Sequence, residues 1–180
     1  MIGFAELEPF LDRKRHELLA AVDWFDPVSE AKSLREAEGG WTPCDVLEHV
    51  AMVERMVTAQ VQLLLDSAPA LPSEPAGDKL VDITEPFRER GLLGSKKKTP
   101  PHLEPSGLMS YEEAMREMQE SRAQLKALLP HLALRETNAL IAPHPLGLSL
   151  NACQWVLFSA FHEWSHIHQL KRIRAAHPRA

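Results

Sequence analysis

Residues 149–175 read as one long helix that is apolar on every side. At about 100° per residue, one face carries Trp155, Phe158, His162, His166, Gln169 and Ile173, and the opposite face carries Val156, Leu157, Ala160, Trp164 and Ile167. A helix bordering solvent keeps one polar side, so a helix without one is buried all round. The rest of the chain must therefore enclose this segment, which dictates a helical bundle. The second face needs a cover of its own. Either the proline-rich crossover between helices two and three or a second copy of the chain supplies it, and the second copy is the expected one, giving a homodimer through Leu157, Ala160 and Trp164.

Three other segments carry helical periodicity. Phe4, Leu7, Phe10, Leu11, Leu18 and Val22 recur at three- and four-residue intervals, the mark of an amphipathic helix over 4–22. Trp41-Thr42-Pro43-Cys44-Asp45 begins a second helix, with Thr42 able to cap, Pro43 preset for the first helical position and Asp45 at the positive end of the dipole. It runs to about Asp66. Ser110 followed by Glu113 is a capping box opening a third helix over 111–129, which Pro130 is expected to stop. Ser149 is expected to cap the fourth. Between helices two and three, residues 67–109 hold seven prolines and no helical period. So long a crossover can return along the bundle and leave those two helices parallel. The expected architecture is all-α, a four-helix bundle in a single domain over 1–180.

Composition narrows the functional classes. The formal net charge is −5, which gives no basic field for nucleic acid. Lys96-Lys97-Lys98 lies among prolines and reads as a solvated loop. No run approaches the roughly 20 apolar residues of a membrane span, and charges interrupt the N-terminus before any signal-peptide core can form. Two cysteines, Cys44 and Cys153, are too few for a disulfide framework. A cytoplasmic protein without nucleic-acid or membrane partners is expected.

Most of the nine histidines read as ordinary hydrogen-bonded or surface residues. His162 and His166 differ, because both lie on an apolar face one turn apart. Their Cβ atoms are then about 5–6 Å apart, close enough for two imidazoles to reach one divalent cation at ~2.0–2.1 Å. Neutral imidazoles buried side by side without a shared partner are costly. A third ligand must come from elsewhere, and His49 points toward the core of helix two, among Met52, Val53 and Met56. Gln169 and Asp45 are placed to orient imidazoles or bound water. Trp41, Met52, Trp155 and Phe158 are expected to wall a pocket, with core packing as the competing reading. Glu163 adjoins a ligand and is a candidate proton relay, although it lies about 100° from His162 around the helix.

His162-Glu163-Trp164-Ser165-His166 also satisfies H-E-x-x-H, in which a zinc peptidase uses the glutamate as general base. The surroundings oppose that reading. Gln169 and Arg172 stand where the extended motif has glycine and histidine, no Asp or Glu follows His166, and no strand pattern precedes the motif.

Two blocks carry a resemblance. Gly40-Trp41-Thr42-Pro43 with Val46-Leu47-Glu48-His49-Val50 resembles the second helix of the DinB/YfiT-like superfamily. His144-Pro145-Leu146-Gly147 through Leu150 to His162, His166 and Gln169 resembles its last. The resemblance covers the whole chain in layout. It implies an up-down-down-up bundle, frequent homodimers, and a Zn²⁺ or Ni²⁺ site made by one histidine of helix two and an H-x-x-x-H pair of helix four. Those positions are His49, His162 and His166. Members include thiol-dependent S-transferases and isomerases that use low-molecular-weight thiols, and others are named metal-dependent hydrolases. The resemblance thus implies a metal-dependent enzyme acting on a small molecule, an S-transferase before a hydrolase. A metal-binding bundle serving dimerisation or stress response is the alternative.

Overall fold

The computed structural model describes residues 3–68, 98–135, 138, 140–145 and 147–178. Four long helices carry it: α1 (Phe4–Val22), α2 (Pro43–Ser67), α3 (Tyr111–Ala133) and α4 (Ala152–Ala176). A 3₁₀ turn (Pro101–Leu103) precedes α3, and a small antiparallel hairpin of β1 (Ile141–Pro143) and β2 (Ser149–Asn151) leads into α4.

Contacts along the helices give their directions. Lys126 of α3 binds Asp12 of α1, whereas the Arg15 guanidinium bonds the Met118 carbonyl, so α1 and α3 are antiparallel. Arg122 meets Glu54, and Met109, just before α3, meets Cys44 at the start of α2, so α2 and α3 are parallel. Phe161 of α4 lies against Phe10 of α1, and further on Arg174 lies over Trp24. The order is up-down-down-up, which the long crossover permits. Most of that crossover, 69–97, lies outside the described residues, and with it Lys96 and Lys97 of the basic run.

Helix α4 is the central element. Leu157 and Ala160 are fully buried within one chain, because α1 packs over the face that a second copy was expected to cover. Trp164 is only half-buried and meets the exposed His168 ring edge-on. Two other boundaries differ from expectation. Pro130 sits inside α3 instead of ending it. One backbone donor is lost there, but Leu129 and Leu132 anchor the last turn in the core. The cap of α4 is Asn151, whose side chain accepts from the Gln154 amide at 2.9 Å, since Ser149 is taken up by β2.

The core is divided in two. One apolar cluster gathers Leu7, Leu11, Val57, Leu125, Trp155 and Leu157 among others. The second gathers Leu18, Val22, Leu47, Val50, Met118 and Ile167. Between them run buried Arg15, Glu54, Arg122 and Glu163, one from each helix.

Candidate metal centre

The start of α2 is fixed locally. Thr42 Oγ1 accepts from the Asp45 amide at 3.1 Å, and Asp45 Oδ2 accepts from the Thr42 amide at 2.8 Å, with Pro43 in the first turn. His49 therefore has a set direction, on the α2 face turned toward α4. The segment before α3 is laced back along α2: Glu48 accepts from the Ser106 amide at 2.8 Å, and the Cys44 thiol reaches the Met109 carbonyl at 3.4 Å.

Three imidazoles converge between α2 and α4. His49 Nε2 and His166 Nε2 each lie 3.1 Å from His162 Nε2, and the three ligand atoms fall within 4.8 Å of one another. His49 and His166 are buried, while His162 is half-buried. The far nitrogens are held. His49 Nδ1 donates to the Leu103 carbonyl at 2.7 Å, and His166 Nδ1 donates to Gln169 Oε1 at 2.7 Å. Burial and the neighbouring rings hold His162 well below the usual imidazole pKa. Burial lowers His49 and, with His49 nearby, pushes His166 down to about 3.

Those facts test whether the donor set suits a cation. A neutral imidazole carries one N–H. In His49 and His166 it is spent on Leu103 and Gln169, so each Nε2 presents a bare lone pair to His162. One N–H on His162 cannot satisfy both fully. At ~2.05 Å from an ion, nitrogens 3.1 Å apart subtend about 100°, between the tetrahedral and octahedral angles. The residues fit a divalent cation with nitrogen preference.

A profile of the DinB superfamily matches residues 11–170. This chain belongs to the DinB superfamily. It is 29% identical over 141 residues to the uncharacterized protein YuaE of Bacillus subtilis (strain 168), covering 78% of this chain and 81% of that one. The crystal structure of TT2238, described as a four-helix bundle protein, superposes with a TM-score of 0.58 at 24% identity, over 93% of this chain and 97% of that chain. It supports the bundle fold and nothing finer.

The remaining expected site residues of this DinB-superfamily chain divide into two groups. Trp41 joins the imidazoles, 4.7 Å from the His49 ring and near-parallel to His166 at 6.2 Å. Phe158 stands 5.8 Å from His162, with Trp155 behind it in the core. Met52 packs on the larger apolar cluster. Asp45 is engaged by the helix cap and by Arg35 at 3.8 Å, so it orients no imidazole. Glu163, the candidate proton relay, is engaged as well. Its Oε1 accepts from Arg15 Nε at 2.7 Å and Arg122 Nη2 at 2.8 Å, which ties it to α1 and α3. A carboxylate held by two guanidiniums is no proton relay.

One of the histidines that read as ordinary in the sequence also lies near the centre. His144 packs 4.3 Å from the Phe158 ring and 4.8 Å from Trp155, and burial pushes its pKa down to about 4. The hairpin sets it there, its amide donating to the Leu148 carbonyl at 2.7 Å. The turn closes through Gly147, whose φ of 77° suits glycine and whose amide donates to the His144 carbonyl at 2.8 Å.

Proposed function

We propose that this chain is a metal-dependent enzyme that holds Zn²⁺ or Ni²⁺ through His49, His162 and His166 and transfers a low-molecular-weight thiol to a small electrophile. The observation that carries this reading is the convergence of three Nε2 atoms, two of them with lone pairs that no N–H can satisfy fully. Three neutral protein ligands leave a coordination position open, and a cation there supplies thiolate character at neutral pH.

The chain's own residues prepare that position. The Leu103 carbonyl and Gln169 fix the rings of His49 and His166 in the tautomer that turns Nε2 inward. Trp41 and Phe158 give the site apolar walls, and half-buried His162 marks the side from which a small molecule reaches it. Neither cysteine supplies the nucleophile. Both are buried, and burial pushes the Cys44 thiol up to about 11, so the thiol comes from outside. Among the described residues the carboxylates nearest in sequence to the ligands are engaged: Glu48 by the Ser106 amide and Glu163 by two arginines. Hydrolysis wants a general base beside the activated water, whereas a thiolate needs none, which favours transfer over hydrolysis.

Elemental analysis of untagged wild type and His49→Ala is the first test. About one metal per chain is expected in the wild type, with most of it lost in the variant. Equal occupancy refutes the ligand set. The metallated protein is then incubated with a panel of small thiols and a generic electrophile. A thiol-dependent rate above the protein-free control is expected, and its absence refutes the transferase reading in favour of hydrolysis or binding alone.

A further inference from the structure

The polar layer that divides the core has a composition that packing does not ask for. Arg15 of α1 and Arg122 of α3 each bridge the same two carboxylates, Glu54 of α2 and Glu163 of α4. Arg15 donates from Nη2 to Glu54 and from Nε to Glu163, both at 2.7 Å. Arg122 donates from Nε to Glu54 at 2.7 Å and from Nη2 to Glu163 at 2.8 Å. All four residues are at least nine-tenths buried. The two carboxylates belong to the two helices that carry the histidines. Glu163 follows His162 directly, and Glu54 lies a turn and a half beyond His49.

We propose that this ionic layer is a register clamp, which sets the axial and rotational placement of α2 against α4 and thereby holds His49 within reach of His162 and His166. The inference rests on reading the three histidines as a metal centre. Arg15, Glu54, Arg122 and Glu163 are positioning residues in it.

The geometry of a slip shows why a clamp is needed. Moving α4 by one residue against α2 shifts it about 1.5 Å and turns it about 100°. Apolar clusters of Leu, Val and Ile accommodate alternative packings at modest cost, so the two halves of the core specify register weakly. The layer does not tolerate the slip, because both arginine bonds to Glu163 Oε1 would break with the charges still buried. A buried polar group that fixes register is the best-attested use of such a group. The layer is also imperfect as a source of stability. Arg122 Nη1 and Glu163 Oε2 are buried with no hydrogen-bond partner among the described residues. Stability alone would favour an apolar filling there.

The test replaces the whole layer: Arg15→Met, Glu54→Leu, Arg122→Met and Glu163→Leu together. Spin labels on Gln62→Cys and Lys171→Cys, both exposed, report the distance between α2 and α4 in metal-free protein, the native cysteines being buried. The helical fold is expected to persist, with a broadened or shifted distance distribution. Zn²⁺ affinity, read by competition with a chromophoric chelator, is expected to fall about tenfold or more, and the Co²⁺ absorption bands to change. Unchanged distances and unchanged affinity in a folded variant overturn the clamp. If the fourfold variant does not fold, Arg15→Lys with Arg122→Lys keeps the charges but loses the two-pronged bridging, and the same distances decide. Wild type that takes up no metal ends the metal-centre reading alone, while the distance measurement still decides the clamp.

Discussion

Glu54→Ala is predicted to remove a large part of the stability of this fold. The Glu54 residue is 2% exposed, and its carboxylate accepts from Arg15, Arg122 and the Ser121 hydroxyl at 2.7, 2.7 and 2.6 Å. Its removal leaves two buried guanidiniums facing Glu163 alone, a net positive charge in a dry layer. Removing one partner of a buried ion pair costs about 3–5 kcal/mol. Ser121 adds little, because its hydroxyl keeps the Met118 carbonyl at 3.2 Å. Arg15 also keeps that carbonyl at 2.5 Å, which places the expected loss near the middle of the range, ~4 kcal/mol. For a domain of this size that lowers Tm by roughly 8–16 °C. Urea unfolding of metal-free protein at neutral pH, followed by far-UV circular dichroism, measures it, with an unchanged m-value expected. Asp12→Ala is the control. Asp12 pairs with Lys126 at the surface, with side-chain exposures of 51% and 32%, and exposed pairs contribute about 0–1 kcal/mol. If Glu54→Ala costs no more than Asp12→Ala, the idea of a charged, water-free layer is wrong.

Two further outcomes can be measured with the same assay. His166 and His144 have folded pKa values pushed down to about 3 and about 4, below the roughly 6.5 of an unfolded histidine. Their burial as neutral rings is therefore fully favourable above about pH 6.5 and is lost progressively below it, at up to ~1.4 kcal/mol per pH unit for each group. Urea midpoints of metal-free protein that stay flat from pH ~7 to ~4.5 would contradict this. Thr42→Ala removes the acceptor for the Asp45 amide and should cost about 1 kcal/mol, with the helix content of the folded state unchanged; a loss within error of zero means that the cap does not matter to α2.

The helices and the histidine triad were legible for the same reason: each depends on periodicity within a helix and on local capping chemistry. Thr42 with Asp45 and Ser110 with Glu113 cap as their spacing predicts, and the four-residue interval of His162 and His166 puts both beside His49. Short-range signals fail where tertiary packing decides. Pro130 continues a helix because Leu132 is anchored in the core. Strands of three residues are too short to show alternation, so the hairpin that sets His144 and displaces the α4 cap to Asn151 went unseen. The ionic layer was missed because single charges in an amphipathic pattern read as surface residues. Its signal was present nonetheless. Arg15 lies four residues after Leu11 and three before Leu18. Glu54 between Val50 and Val57 and Arg122 between Met118 and Leu125 interrupt their own apolar stripes at the same spacing, and Glu163 lies three residues after Ala160 and four before Ile167. Glu163 was drawn toward the metal by sequence adjacency, although the turn of the helix aims it elsewhere.

The two held histidines are secured by different kinds of partner. His49 leans on a main-chain oxygen at Leu103, which survives any side-chain replacement at that position. His166 leans on the amide of Gln169, which a single nucleotide change can alter. Evolution and protein engineering therefore have one convenient dial for the basicity of this cluster, and it is at residue 169.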